Sequence, residues 1–133
     1  MKLTTGTLVL AVLGIPVIVV IGFAGLWWAS NGLVSCGDTM LGDARSPGGE
    51  FVATAFMRNC GATTDFATIV SLRRGSAPFR PDTDSTAVVI DGACEVAVAW
   101  ADSTELTVEH DRRCVIFSSR ESVLGVRVDL RPK

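Results

Sequence analysis

The pattern of apolar and polar positions divides the chain into one long apolar segment and a region of short alternating runs. Between Lys2 and Asp38 there is no charged residue, and residues 8–29, from Leu8 to Ala29, are almost entirely apolar. A helix over this run is roughly 33 Å long, enough to cross a hydrocarbon core of about 30 Å. The pattern therefore predicts an N-terminal transmembrane anchor in residues 1–30, which contacts the membrane through residues 8–29.

Charges beside this segment predict its orientation. Lys2 and the α-amino group precede it, whereas Asp38, Asp43 and Arg45 follow it. The positive-inside bias then places the N-terminus in the cytoplasm, with the rest of the chain outside the bacterial inner membrane. Two alternatives stay open: a cleaved signal peptide, and a lipoprotein signal in which Cys36 is lipidated. Both alternatives also place the remaining residues outside the cytoplasm.

Beyond the apolar segment, residues 31–50 are rich in Gly, Ser and Asp and are interpreted as a juxtamembrane linker. Residues 51–133 carry short runs with strand periodicity and no helical period. They predict an all-β extracytoplasmic domain, an antiparallel meander or small sandwich of about six or seven strands. The predicted strands are 51–58, 67–72, 87–90, 94–100, 105–111, 115–117 and 126–131.

Two of these segments give more detail. The turn at 101–103 predicts a hairpin that pairs Trp100 with Leu106. The last segment alternates so regularly that it predicts an antiparallel strand buried on one face. Its inward positions are Val126, Val128 and Leu130, and its outward positions are Arg127, Asp129 and Arg131.

The four cysteines, Cys36, Cys60, Cys94 and Cys114, predict two disulfides in an oxidising compartment. Three pairings are possible. We favour Cys36–Cys60 with Cys94–Cys114, because each closes a short segment, worth about 3 kcal/mol in the chain-entropy model. In the hairpin register Cys114 lies two residues too far along to face Cys94, so that bridge requires a bulge or a turn at residues 112–113.

Composition narrows the classes of function. Residues 34–133 carry 11 Lys and Arg against 14 Asp and Glu, so no basic surface for nucleic acid is expected. The chain has one histidine and no Cys-x-x-Cys motif. These features argue against a histidine-based metal site, a zinc ribbon and a Ser-His-Asp apparatus. We therefore predict no catalytic residue, no metal and no cofactor.

The turn at residues 60–65 is the candidate site. One interpretation is an exposed turn that binds a ligand through Thr63, Thr64, Asp65 and free backbone N–H groups. The other is a structural turn anchored by a disulfide, in which Gly61 supplies a positive φ. A nucleophilic Cys60 would need a base, and no base is identifiable from the sequence.

Residues 46–53 and 58–72 resemble a group of small bacterial exported proteins of unassigned function. The shared features are a Cys-Gly-Ala-Thr-Thr turn, here at residues 60–64, after a Ser-Pro-Asp-Gly-Lys type strand. Gly48 and Asn59 stand where aspartate is usual in that group. The resemblance implies an N-terminal anchor or lipoprotein-like signal, and it brings no activity with it.

Three hypotheses of function follow. The first is a non-catalytic binding or accessory module of the envelope, with an envelope protein as its partner. The second is a small envelope enzyme, a hydrolase or a thiol-dependent enzyme, using Cys60, Asp65 and His110; it requires a free Cys60 thiol. In the third, the transmembrane helix joins a larger complex and the β-domain is only a cap.

Overall fold

The computed structural model describes residues 5–31, 36–61 and 64–133, with helical side chains described at residues 15–29. The chain forms two compact units, Met1–Ser35 and Cys36–Lys133. Each unit is described by itself below.

The first unit contains one helix, α1, which spans Thr5–Asn31 and includes Pro16. Its large apolar side chains between Ile15 and Trp28 are exposed. Within the described part of the chain, no helix is both long and apolar enough to cross a membrane.

The second unit is a β-sandwich, which confirms the all-β prediction. A five-stranded sheet has the order β1-β2-β3-β4-β7, and a four-stranded sheet has the order β5-β6-β9-β8. The described residues thus form more strands than the six or seven expected. The strands are β1 Gly37–Arg45, β2 Phe51–Asn59, β3 Ala67–Arg74, β4 Ser85–Asp91, β5 Val96–Trp100, β6 Glu105–His110, β7 Ile116–Ser119, β8 Ser122–Val123 and β9 Val126–Pro132.

Strand β2 is buried on both faces, as its continuous apolar sequence predicts. Phe51, Ala53 and Ala55 belong to the core between the two sheets. The four-stranded sheet contributes Leu106 and Val108 to the same core. Side chains of both sheets thus exclude water from a shared interior, as in other sandwiches.

The outer face of β2 is covered by residues 75–84, which we call the strap. The Phe79 ring packs edge-on against Phe56, with 5.2 Å between ring centroids, and Phe56 has no exposed surface. Where the strap begins, the Gly75 amide donates to the Glu50 carbonyl oxygen at 2.7 Å. A Cβ atom at position 75 would overlap the Gly49 carbonyl oxygen, so this approach requires glycine.

Residues 37–45, assigned to the linker from the sequence, form strand β1 instead. The strand pairs antiparallel with β2, with Asp38 opposite Arg58. Almost every β1 residue is exposed, so the strand has no alternation of apolar and polar residues that the sequence analysis could detect. Its far side is attached to the four-stranded sheet, because Trp100 Nε1 donates to the Ala44 carbonyl oxygen at 2.9 Å.

The hairpin and the last strand follow the sequence prediction closely, with one correction. Trp100 pairs with Leu106 in an antiparallel β5–β6 hairpin, which confirms the register. In β9, Val126 and Val128 are buried while Arg127 is exposed, as predicted. However, β9 pairs parallel with β6 and antiparallel only with β8. Alternation specifies which face is buried and carries no information about strand direction.

Both disulfides of the favoured pairing are present. Cys36 and Cys60 are bridged beside the paired residues Gly37 and Asn59. Cys94 and Cys114 are also bridged, with Cα atoms 6.1 Å apart. The required turn occurs at residues 112–113, where the Cys114 amide donates to the Asp111 carbonyl oxygen at 3.0 Å.

Candidate binding surface

The described residues of the turn at 60–65 have contacts typical of a disulfide-anchored turn. Gly61 has a φ of 118°, in the region that favours glycine, and its amide donates to Asn59 Oδ1 at 3.1 Å. The Thr64 amide donates to the Gly61 carbonyl oxygen at 3.2 Å. Thr64 and Asp65 are exposed, whereas Thr63 lies outside the described residues. Ligand binding by this turn stays a prediction.

Exposed apolar side chains lie at the same end of the five-stranded sheet as this turn. Phe66 follows the turn directly, and its carbonyl oxygen accepts from the Gly92 amide at 2.7 Å. On the other side of the β4 end, the Asp91 amide donates to the Val115 carbonyl oxygen at 2.9 Å. Phe66 is 44% exposed, Val115 65% and Phe117 79%.

Strand β7, which carries Phe117, ends the five-stranded sheet. It pairs with β4 alone, and among the described residues no strand lies on its far side. Only Ile116 is partly buried, and the other three residues of the strand are exposed. Open strand edges offer unpaired backbone groups to other chains. The other terminal strand, β1, is held on its far side by the Trp100 hydrogen bond described above.

An acidic depression adjoins the beginning of β7. Its volume is about 340 Å³, and its lining includes Asp91, Glu95, Asp111, Arg113 and Val115. Arg113 Nη2 donates to Asp111 Oδ2 at 2.7 Å. Asp91 and Glu95 form no ion pair with any described residue, so the lining keeps an excess of negative charge. We call Val115, Phe117 and this depression the β7 edge surface.

Within the depression, the Asp111 carboxylate is already paired with the Arg113 guanidinium. Hydrogen bonds from the Arg113 side chain and amide lower the pKa of Asp111 to about 2. Asp111 therefore stays ionised throughout the physiological range. Among the described residues, no group of three or more His, Cys, Asp or Glu side chains could hold a metal ion.

His110 lies in phase with the core residues Leu106 and Val108 and is only 7% exposed. Its Nδ1 is 2.9 Å from the Asp111 carbonyl oxygen, an acceptor, so Nδ1 is the donor. The ring is thus a buried strand residue whose polar atom bonds to the local backbone.

The arginines of the outer sheet face hold the strap. Arg58 donates to both carboxylate oxygens of Asp38, at 2.8 and 3.0 Å, and to Asp82 of the strap at 2.8 Å. The hydrogen bond with Asp38 is the main cause that raises the pKa of Arg58. Arg73 lies over the Phe79 ring and bonds to Thr54. These side chains have structural partners, so they do not form a free cationic surface.

The β7 edge surface is not predictable from the sequence pattern. The apolar run at 115–117 predicts a short strand, but it does not indicate that this strand ends a sheet. One signal is present in the sequence: Val115, Ile116 and Phe117 are consecutive apolar residues at the start of β7, and only Ile116 among them is partly buried. Comparison with protein-family models, with curated proteins and with solved structures finds no match to this chain.

Proposed function

We propose that this chain is a membrane-anchored, extracytoplasmic β-sandwich that acts as a non-catalytic binding module of the bacterial envelope. The main support for a binding role is the exposure of Phe117 and Val115 at the open edge of the five-stranded sheet. Exposed apolar residues grouped beside polar ones are typical of interaction surfaces. An open strand beside them adds backbone hydrogen bonds to the contacts available.

The anchor is supported by the sequence of α1. Residues 8–29 contain no charge, and Trp27 and Trp28 end this apolar run. The described apolar side chains of α1 are exposed; Ile18 and Phe23, for example, are each 72% exposed. Exposed aliphatic and aromatic side chains on a helix are stabilised by a hydrocarbon environment rather than by water.

The disulfides favour this proposal over a lipoprotein lipidated at Cys36 and over a thiol-dependent enzyme. Lipidation would modify Cys36 Sγ, the atom that bonds Cys60. A thiol-dependent enzyme would need a free Cys60 thiol, and all four cysteines are bridged. An oxidising compartment outside the inner membrane suits two disulfides in a small domain.

The anchor is tested by placing charge at its centre. Ile18→Lys with Ile21→Lys is expected to move the chain from the membrane pellet to the soluble fraction after alkaline extraction, because each lysine costs about 2.5–3.5 kcal/mol at a bilayer centre. The matched control, Met40→Lys with Leu41→Lys, adds the same charge at exposed positions of β1. This control protein should stay in the pellet. Retention of both variants would refute the anchor.

The binding surface is tested by photo-crosslinking in cells. A photoreactive phenylalanine analogue at Phe117 is expected to give discrete crosslinked species. The same analogue at Leu124, an exposed apolar residue in the β8–β9 turn, should give far fewer. Equal yields at the two positions, or none at Phe117, would rule out the β7 edge as the binding surface.

A further inference from the structure

We infer that the β7 edge surface binds an arginine side chain presented by another protein of the envelope. The guanidinium pairs with the carboxylates of Asp91 and Glu95. The aliphatic stem packs on Val115 and Phe117. This inference rests on the proposed binding function and names the chemistry of its partner. It is drawn from three features of the described residues: the bulge at Phe117, two carboxylates without partners, and the cations that cover other phenylalanines of the domain.

The bulge in β7 makes side chains the main contacts that this edge offers. In the pairing of β7 with β4, Ser118 is opposite Val89 and Ile116 is opposite Ile90. Phe117 is thus the extra residue of β7 and has no partner in β4. A bulge re-aims a side chain, and it interrupts the row of backbone groups that a further strand would need. A partner of this edge is therefore recognised mainly through side-chain contacts.

The acidic depression supplies the charge that selects a cation. Three carboxylates and one guanidinium line it, those of Asp91, Glu95, Asp111 and Arg113. Arg113 is paired with Asp111. Asp91 and Glu95 are exposed, and their carboxylates have no hydrogen bond or ion pair within the described part of the chain. A cation from another chain would gain both of these carboxylates without displacing an existing partner.

Other phenylalanines of the β-domain indicate which cation suits the exposed ring. An arginine guanidinium lies over each of three rings, 5.6 to 5.7 Å from the ring centre: Phe51, Phe56 and Phe79. Phe117 has no such cation among the described residues, although 79% of its surface is exposed. Guanidinium groups stack on aromatic faces and are more weakly hydrated than ammonium groups. The open ring therefore favours arginine over lysine.

One arginine side chain is long enough to contact both the apolar and the acidic part of the surface. Val115 lines the depression and lies two residues before Phe117, about 7 Å away along an extended strand. An arginine stem covers apolar surface while its charged head stays in a polar environment. Bidentate hydrogen bonds from the guanidinium to a carboxylate add geometric specificity. Anionic lipid headgroups would be repelled by the same carboxylates, so the occupant is a protein segment rather than the membrane surface.

The first test measures the charge dependence of photo-crosslinking in cells, with the phenylalanine analogue at Phe117. Asp91→Asn with Glu95→Gln is expected to lower the crosslinked yield about fivefold, because two ion pairs with the arginine are lost. Asp91→Glu with Glu95→Asp keeps both charges and should keep most of the yield. The matched control, Asp43→Asn with Glu105→Gln, removes two carboxylate charges from β1 and β6. This control should leave the yield unchanged.

Mass spectrometry of the crosslinked peptide then gives the chemistry of the partner. We expect an arginine within about four residues of the crosslinked position, because residues of an extended segment are about 3.3 Å apart. Replacing that arginine by glutamate in the partner should lower the yield as much as the loss of the two carboxylates does. Combining this change with Asp91→Lys and Glu95→Lys, which exchanges the charges, should restore most of the yield.

The second test measures binding by the purified full chain in micelles of a zwitterionic detergent. The probe is the acetylated and amidated peptide Ser-Leu-Arg-Leu-Ser, compared with versions that carry lysine or neutral citrulline in place of arginine. Titration is followed by the amide NMR signals of Asp91 and Val115. The arginine peptide should bind most tightly and the citrulline peptide about fivefold more weakly. Phe117→Ser should weaken the arginine peptide by a similar factor without changing the thermal midpoint of the chain, because the ring is 79% exposed.

Four results would overturn the inference: a crosslinked yield that does not depend on the two carboxylates, an equal loss of yield in the charge-conserving variant, a crosslinked segment without arginine, or equal binding of the arginine and citrulline peptides. If Phe117 still crosslinks a discrete protein in any of these cases, the proposed binding function stands and arginine recognition is excluded. If Phe117 crosslinks only lipid, or nothing, both proposals fail.

Discussion

Replacing Cys94 and Cys114 together by alanine is expected to lower the free energy of unfolding of the β-domain by about 3 kcal/mol from chain entropy, with a further loss from packing. The bridge closes a segment with a sequence separation of 20 residues, which restricts the unfolded chain. Cys94 is also 5% exposed and belongs to the core, so its loss removes packing as well. For a domain of this size, the midpoint should fall by roughly 12–24 °C in scanning calorimetry.

The other disulfide provides the matched comparison. Cys36 and Cys60 close a similar segment, with a separation of 24, but both residues lie only partly buried at the end of a sheet. Their replacement should cost about 3 kcal/mol from chain entropy and little from packing. If the Cys94–Cys114 variant melted within about 3 °C of the wild-type chain, that bridge would not be a stabilising element.

Phe56→Ala is expected to destabilise the β-domain by about 3–5 kcal/mol, measured as a shift in the denaturant midpoint. Phe56 is fully buried on the outer face of the five-stranded sheet, under Phe79 of the strap. The Arg58 guanidinium lies 5.7 Å from the centre of its ring. Truncation of Phe56 removes the ring against which Phe79 of the strap packs. It leaves a cavity beneath the strap, and cavities in buried regions are destabilising.

Phe117→Ala is the control for this change, because it removes the same atoms from a ring that is 79% exposed. Its effect on monomer stability should be within about 0.5 kcal/mol. Equal losses for the two variants would contradict a stabilising role for the buried Phe56 ring beneath the strap.

The parts of the fold that sequence analysis predicted correctly depend on local pattern. The β5–β6 hairpin was predicted in register because a short turn fixes the pairing of Trp100 with Leu106. The disulfide pairing was favoured because each bridge closes a short loop. The positive φ expected at Gly61 follows from local backbone sterics and is present.

The elements that the sequence pattern does not predict form through contacts between residues far apart in the sequence. Strand β1 is exposed along nearly its whole length, so its sequence resembles a linker until β2 pairs with it. The ion pairs of Arg58 with Asp38 and Asp82 join three separate segments of the chain. The strap likewise contains prolines and charges typical of a loop, and only its contact with Phe56 makes it a cover for the sheet.

By itself, the sequence determined that this protein has an apolar N-terminal helix, an all-β domain and two disulfides, because hydrophobic period and cysteine spacing are local properties of a chain. Only the tertiary structure decided that β9 lies parallel to β6 and that β7 is the open edge of its sheet. Strand order and direction arise from packing between segments far apart in sequence. For that reason Phe117, an ordinary strand residue in the sequence, becomes the centre of the β7 edge surface.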